Sequence, residues 1–328
     1  RPHLLKAHPP NNLKSQGIIK AGLSPCFNKK REVIMLKFKK TEIGDIDIFR
    51  EYTQKPGEFS CENTFVNMLV WQCAYNNMWA EEDGQLIIKS GRGENSVYRL
   101  PFGDDFDKGI ELIRRYSGKD YPDFWVQEGT RLDLFRERFR EKYCFEEKRD
   151  AFDYIYLQSD LAELSGKKYH GKRNHISAFS RSFKWEFRPL SEVVTEDIRR
   201  CAAEWYEQNS RKEDSYMLCE KRGIGLMLDN YEKLGIRGGA IYVNNMAVAF
   251  TLGSAVNDSV FDTHIEKALP EYAAAYTVIN NEFAKTLADF KYINREDDLG
   301  LEGLRKAKLS YKPGILLKKY RCTKKVTI

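Results

Sequence analysis

The segment 292–313 places a short apolar run, an acidic loop and a helical repeat directly one after another. Residues 290–293 are typical of a strand, Leu301 and Leu304 recur at helical spacing, and Pro313 ends the pattern. The charged loop between them therefore lies where a strand ends and a helix begins, which is a usual place for ligands in an α/β sheet. This order predicts an α/β fold with a binding or catalytic site at the loop.

The length of 328 residues exceeds what one hydrophobic core usually organises, so two domains are predicted. We expect an N-terminal extension, disordered or non-native, over 1–34, a first domain over 35–165, a basic connecting segment over 166–184, and a second domain over 185–328. Periodicity predicts helices at 41–52, 106–116, 131–143, 172–183, 196–207, 223–234 and 272–287, and strands at 78–82, 86–89, 97–100, 185–188, 239–243, 246–252, 260–265 and 315–320.

The formal charge of +6 is carried entirely by residues 1–34, so the body of the chain is neutral. Binding to RNA or anionic lipid therefore requires a local patch of charge. No apolar run approaches the roughly 20 residues that span a bilayer, and no transmembrane segment is predicted. The seven cysteines are scattered and lack a Cys-x-x-Cys pair, which predicts neither a disulfide framework nor a metal site and favours the cytoplasm.

A local basic patch does occur between Glu163 and Glu186, where the chain has no acidic residue. If the predicted helix begins near Lys172, its N-terminal amides and the basic side chains suit a phosphate or an RNA backbone. The alternative is a solvated face between two domains. The candidate binding residues of this patch are Lys168, His170, Lys172, Arg173 and His175.

The acidic loop contains candidates for a general base, Glu296 and Asp298, with Asp297 between them. Adjacent carboxylates raise one another's pKa, which suits the removal of a proton from an attacking amine. The alternative is ordinary helix capping, since Asp298 lies where an N-cap is expected. His264 is interpreted as a polar core residue more readily than as a catalyst.

Arg305 and Lys308 share a face of the predicted helix after the loop. They are candidates for a cationic wall that stabilises a developing oxyanion, and the alternative is a surface ion-pair helix. Arg295, Tyr311 and Lys312 are further candidates for substrate binding beside them.

Two motifs carry a resemblance to a known family: Asn294-Arg-Glu-Asp-Asp-Leu-Gly-Leu-Glu-Gly-Leu-Arg-Lys-Ala-Lys-Leu-Ser-Tyr311 and Tyr169-His-Gly-Lys-Arg-Asn-His-Ile176. From about Met35 onward the chain resembles a bacterial family related to the C-terminal catalytic domain of phosphatidylglycerol lysyltransferase. The resemblance implies two tandem GNAT-like domains (the acyl-CoA N-acyltransferase fold), each a mixed, largely antiparallel sheet flanked by helices. It also implies kinship with the Fem ligases, which take amino acids from aminoacyl-tRNA.

The leading hypothesis is therefore transfer of an amino acid from aminoacyl-tRNA, held by the basic patch, to an amine or hydroxyl. The acceptor is a small molecule, a peptide or a lipid headgroup, and no cofactor is required. The alternative is an N-acyltransferase that uses acyl-CoA, although no glycine-rich turn for a pyrophosphate follows strand 260–265. A third reading is a non-catalytic GNAT-like protein that binds RNA or a small anion.

Overall fold

The computed structural model describes residues 35–209 and 215–326, so the predicted extension over 1–34 lies outside the described residues. The helices are α1 Ile46–Thr53, α2 Phe65–Tyr75, α3 Phe106–Ser117, α4 Thr130–Phe139, α5 Gln158–Glu163, α6 His170–Ser182, α7 Thr195–Asn209, α8 Ser215–Asp229, α9 Tyr231–Leu234, α10 Ala275–Lys285 and α11 Glu302–Leu309. The strands are β1 Met78–Glu82, β2 Gln85–Ser90, β3 Val97–Arg99, β4 Asp123–Gln127, β5 Tyr143–Glu147, β6 Asp153–Leu157, β7 Trp185–Pro189, β8 Arg237–Val243, β9 Met246–Asn257, β10 Val260–Ala268, β11 Tyr292–Asn294, β12 Ile315–Leu317 and β13 Lys319–Lys324.

Two mixed sheets organise the described chain. The first has the order β1-β2-β3-β4-β13-β5, and the second has the order β12-β6-β11-β10-β9-β8-β7. Within the part of the chain that the structure describes, each sheet has one parallel pair, β3 with β4 and β10 with β11, and its other pairs are antiparallel. The predicted α/β class, with two mixed and largely antiparallel GNAT-like units, is confirmed.

The two sheets exchange strands. β13, near the C-terminal end, lies between β4 and β5 of the first sheet, and β6 lies between β11 and β12 of the second sheet. Each sheet therefore contains a strand from the other predicted domain. The exchange joins the two units at the ends of β6 and β13.

The parallel pair in the second sheet creates the gap that positions the site. β10 and β11 pair only from Val260 with Tyr292 to Asp262 with Asn294, and then the chains separate. β10 continues to Ala268, whereas the chain after Asn294 turns sharply, with φ of 54° at Glu296 and 51° at Leu299. Side chains from both strands meet in the resulting gap.

Buried apolar side chains form a separate cluster in each unit. In the second unit, α10 packs against β8, β9 and β10, and its buried residues include Val278, Ile279 and Phe283. In the first unit, the rings of Phe124, Phe135 and Tyr143 pack against one another in tilted or edge-to-face geometry. The predicted periodicity of the helix over 272–287 is thus confirmed, although the helix itself is shorter.

Several predicted boundaries are wrong. The strand predicted over 315–320 is two strands in different sheets, because the chain crosses between the units at Lys318. The helix predicted over 131–143 ends at Phe139, and Tyr143 begins β5. The helix predicted over 223–234 starts within α8 and is interrupted before α9.

A disulfide between Cys73 and Cys219 joins α2 to α8, which cysteine spacing did not predict. Among the described residues, no helix is both long enough and apolar enough to cross a membrane.

Candidate active site

The acidic loop presents Glu296 at the mouth of the gap between β10 and β11. Its backbone is in the left-handed region, and the Asn294 side chain accepts a hydrogen bond from the Glu296 amide at 2.7 Å. The carboxylate is 19% exposed, and its Oε1 lies 3.2 Å from His264 Nδ1 and 3.5 Å from Asn67 Nδ2. The sharp turn therefore directs a carboxylate back across the gap, where it retains an exposed edge.

His264 stands between two carboxylates. Its Nδ1 is 3.2 Å from Glu296 Oε1 and 3.2 Å from Asp262 Oδ2, and its Nε2 is 2.8 Å from Ser254 Oγ. Burial alone lowers the pKa of His264, but Asp262 and then Glu296 outweigh that effect and raise it to about 10. The side chain is therefore an imidazolium at neutral pH, held in place on both ring nitrogens.

The Nδ1 proton points to Glu296, so Asp262 is left without a hydrogen-bond donor among the described residues. Asp262 is fully buried, and burial raises the pKa of its carboxyl group. Its Oδ2 nevertheless lies 3.2 Å from His264 Nδ1, and its charge is the largest influence that raises the pKa of His264.

Two carboxyl groups of the loop have pKa values near neutral pH. Burial, reinforced by the charge of Asp262, raises the pKa of Glu296 to about 7. Burial also raises the pKa of Asp297 to about 7, against the opposing charges of Lys319 and Lys308. A group with a pKa near the working pH is suited to take up and release a proton.

Asp298 has a structural role in the loop and is not available as a base. Its oxygens accept hydrogen bonds from Tyr154 at 2.5 Å, Arg149 at 3.1 Å, the Gly300 amide at 2.9 Å and two nitrogens of Arg305 at 2.9 Å. Burial alone raises its pKa, but the hydrogen bonds from Arg305 and Tyr154 lower it to about 2. Its lone pairs are occupied, so we do not retain the base role considered from the sequence.

Replacing Asp298 by Asn is expected to destabilise the protein by about 2 kcal/mol at neutral pH. Because the folded-state pKa lies below the ordinary value of about 3.9, this stabilisation is complete above pH 4 and is lost as the pH falls toward 2. Unfolding midpoints of both proteins across pH 2–7 measure the effect. Asp83→Asn, which removes an exposed pair with Lys108, is the control and should change stability by less than about 1 kcal/mol. A constant difference between Asp298→Asn and wild type from pH 7 down to 2 would contradict this account.

Arg305 and Lys308, both on α11, hold the acidic loop in place. Arg305 pairs with Asp298 and with Asp150, at 2.7 Å. Lys308 is buried, and its Nζ donates to the backbone carbonyl oxygens of Arg295 and Asp297. Both cations are thus engaged in shaping the loop.

The second motif meets the first beside this loop. Tyr169 donates a hydrogen bond from its hydroxyl to the carbonyl oxygen of Tyr311 at 2.9 Å. Lys172 Nζ lies 3.7 Å above the centroid of the Tyr311 ring, and Arg295 lies 4.9 Å from the same centroid. Three candidate binding residues, Lys172, Arg295 and Tyr311, therefore come together from the two motifs.

The positive charges of Lys172 and Arg295 are incompletely balanced by their surroundings. Arg295 Nη2 pairs with Glu266 at 2.6 Å, whereas its Nη1 is buried with no hydrogen-bond partner in the described chain. Burial and the charge of Arg295 lower the pKa of Lys172 to about 8. Excess positive charge at this point suits an anionic group of a ligand.

The remaining candidates of the basic patch are exposed. Lys168 pairs with Asp160 at 3.0 Å, Arg173 donates to the carbonyl oxygens of Leu164 and Gly166, and His170 lies 3.1 Å from Asn174. His175 lies on the surface of α6, and Lys312 lies beyond α11 with φ of 54°. The structure does not bring these five side chains to the acidic loop.

A buried ionic group between the two sheets was not found from the sequence. Lys319 and Asp153 are both fully buried and pair at 2.7 Å, and Lys319 also lies 3.2 Å from Glu62. Cys61 donates to Asp153 from its amide and its thiol, and burial raises the pKa of that thiol well above its usual value. Since these residues come from both units, no local pattern could have joined them.

Three side chains of this region have donor atoms close enough to hold a metal ion. One donor atom each from Cys61, Asp262 and Glu296 lies within 4.8 Å of the other two. The imidazolium of His264 already supplies positive charge to both carboxylates, which lowers the attraction of the group for a second cation. The absence of a required cofactor stays a prediction.

The chain is similar to one known protein family and to several solved structures. The family described as phosphatidylglycerol lysyltransferase, C-terminal, matches residues 55–323. A conserved protein of unknown function from Bacteroides thetaiotaomicron VPI-5482 is 37% identical, with a TM-score of 0.80 over 89% of this chain and 100% of that one. L-PGS from Bacillus licheniformis is 16% identical, with a TM-score of 0.60 over 88% of this chain and 94% of that one. FemX is 7% identical, with a TM-score of 0.53 over 87% of this chain and 97% of that one. Curated proteins give no match.

Proposed function

This chain belongs to the family of phosphatidylglycerol lysyltransferase C-terminal domains, and from that premise we propose that it moves an amino acid from aminoacyl-tRNA to an amine or hydroxyl acceptor. The family is one of transferases, and the proposal concerns the donor and the acceptor. A tRNA-dependent reaction would take place in the cytoplasm. The candidate acceptors are a small molecule, a peptide and a lipid headgroup.

The observation that carries the proposal is the Glu296 carboxylate, which is partly exposed and has a pKa raised to about 7 by burial and by Asp262. In the proposed step, the acceptor nitrogen bonds to the ester carbonyl carbon while Glu296 takes a proton from that nitrogen. The bond from this carbon to the ribose oxygen then breaks, and the proton passes to the leaving oxygen. Glu296 is thereby returned to its carboxylate form, so no cofactor is needed.

His264 has a positioning role in this scheme. As an imidazolium it donates to Glu296 from Nδ1 and contacts Ser254 through Nε2, so the carboxylate is held in one orientation. The charge of Asp262 keeps His264 protonated. Asp298, Arg305 and Lys308 act further out, by holding the backbone turn that presents Glu296.

Lys172, Arg295 and Tyr311 are proposed to bind an anionic part of the substrate. The buried and unpartnered Nη1 of Arg295 supports this role, because an unmatched buried donor is costly unless a ligand pairs with it. Lys168, Arg173 and Lys312 would extend the contact to the tRNA backbone through their positive charges, and His170 and His175 are exposed on the same segment as Lys168 and Arg173.

Two features favour an aminoacyl donor over acyl-CoA. First, two ionic pairs bridge the gap between β10 and β11, His264 with Glu296 and Glu266 with Arg295, and they narrow the space that the long acyl-CoA chain would need there. The turn 269–274 between β10 and α10 contains no glycine, so its backbone is poorly suited to approach a pyrophosphate closely.

Binding of charged tRNA, uncharged tRNA and acetyl-CoA at two salt concentrations tests the choice of donor. We expect saturable binding of tRNA that weakens as salt rises, because phosphate contacts release counterions, and no binding of acetyl-CoA. Tight binding of acetyl-CoA without affinity for tRNA would replace the proposal by an acyl-CoA-dependent reaction. Binding of tRNA without transfer to any acceptor would support a non-catalytic protein.

The rate of transfer is expected to rise with pH through about 7. Glu296 must be ionised to accept a proton, and its pKa is raised to about 7, so the active fraction increases between pH 6 and 8. Measurement of kcat/KM across this range, with a substrate amine whose own ionisation is known, tests the prediction. A profile that follows the amine alone would exclude Glu296 as the base.

A further inference from the structure

A cavity of about 170 Å³ lies between α1, the start of α2 and β9. Its polar lining comprises Arg50, Thr53, Gln54, Asn63, Thr64 and Ser254. Pockets that enclose drug-sized ligands usually measure roughly 300–1,000 Å³, so this cavity is suited to a smaller molecule.

One wall of the cavity offers a hydrogen-bond acceptor with no partner. Asn63 is 2% exposed, and its Oδ1 has no donor among the described residues, whereas its Nδ2 donates to Glu58 at 2.8 Å. A buried carbonyl oxygen without a donor is unfavourable unless a ligand or a water supplies one. The site is therefore complementary to an N–H or O–H group.

Another wall offers positive charge. Thr64 caps α2 by accepting a hydrogen bond from the Asn67 amide, so the positive end of the helix dipole faces this region. Arg50 lies at the edge of the cavity, where it makes one long hydrogen bond of 3.4 Å to the Leu234 carbonyl and stands 4.0 Å from Asp47. The guanidinium has five donors, so most of its capacity is available to an anion.

The cavity adjoins the acidic loop through two contacts. Ser254, in its wall, lies 2.8 Å from His264, which in turn contacts Glu296. One turn along α2 from the cavity wall, Asn67 lies 3.5 Å from the Glu296 carboxylate. A molecule in the cavity would thus be separated from Glu296 by two side chains, Ser254 and His264.

We infer that this cavity binds a small molecule carrying an amine and one anionic group. The amine pairs with Asn63 Oδ1 and Ser254, and a carboxylate or phosphate pairs with Arg50 and the N-terminal end of α2. This binding site does not depend on the proposed function.

Calorimetric titration with free amino acids and with phosphoethanolamine tests the site and distinguishes a carboxylate from a phosphate. Arg50→Ala should weaken binding by about tenfold or more, because a charge-assisted hydrogen bond is lost. Ala255→Leu, which fills the cavity from β9, should abolish binding. Arg138→Ala is the matched control, since Arg138 has the same 37% side-chain exposure as Arg50 and pairs with Asp107 outside the cavity. Thermal unfolding of each variant verifies that it is folded.

Binding by wild type and Arg138→Ala but not by folded Ala255→Leu would support the site. The site would be wrong if the wild type bound neither free amino acids nor phosphoethanolamine. It would also be wrong if Ala255→Leu bound them as tightly as the wild type does. If transfer from aminoacyl-tRNA to an acceptor is then observed, the proposed function stands and only the cavity assignment fails. Binding without any transfer would retain the site and reject the function.

Discussion

Replacement of Glu296 by Gln is expected to lower kcat for aminoacyl transfer by about two to four orders of magnitude, the usual contribution of a general base. Gln retains an oxygen that can accept the hydrogen bond from His264 Nδ1, so the loop should keep its shape. It has no carboxylate to take the proton, so the loss in kcat should be full above about pH 7, where Glu296 is ionised in the wild type, and should shrink as the pH falls below 7. Single-turnover transfer from labelled aminoacyl-tRNA measures it.

Glu302→Gln is the matched control, because Glu302 belongs to the same motif but lies exposed in the first turn of α11. It should leave kcat within about twofold of wild type, as expected for a surface substitution outside the site. If Glu296→Gln also retains wild-type kcat while both proteins remain folded, the assignment of the base is wrong.

Replacement of Lys319 by Met is expected to destabilise the protein by about 3–5 kcal/mol, the typical result of removing one partner of a buried ion pair. Lys319 and Asp153 are fully buried 2.7 Å apart, and the variant would leave Asp153 charged without its counter-ion. Chemical denaturation gives the free energy of unfolding. Lys318→Met is the neighbouring control, since Lys318 makes an exposed pair with Glu147 and should contribute less than about 1 kcal/mol.

The double variant Asp153→Asn with Lys319→Met separates charge from packing. Removing both charges should recover a large part of the loss, because no unpaired buried charge remains. Equal stability of Lys319→Met and wild type would mean that β13 does not hold Lys319 against β6, and the exchange of strands between the sheets would then be in question.

The fold class and the loop could be predicted from sequence because their signals are local. The hairpin of β8 and β9, with its turn at Asn244 and Asn245, and the acidic loop before α11 lie where periodicity and turn chemistry predicted them. Helix α2 was missed, since its apolar residues surround the helix and leave no periodic stripe. The sequence did not predict β6 as a strand or separate β13 from β12, because the partners of β6 and β13 lie in the other half of the sequence.

The candidate site was predicted in part. The sequence singled out Glu296, Lys172 and Arg295 as separate candidates, and it distinguished Asp298 from Glu296 only by the expected N-cap position of Asp298. The decisive difference is tertiary: Asp298 is surrounded by Arg149, Arg305 and Tyr154, whereas Glu296 faces the gap. His264 was interpreted as a polar core residue, since its contact with Glu296 depends on two strands that diverge after pairing.

The central claim is tested most directly by transfer of a labelled amino acid from aminoacyl-tRNA to a panel of small amines by the wild-type protein, with acetyl-CoA as the competing donor. The account predicts a labelled aminoacyl product from the tRNA donor, no acetylated product, and loss of the labelled product with Glu296→Gln. Acetylation of the same amines, without any transfer from tRNA, would contradict the account.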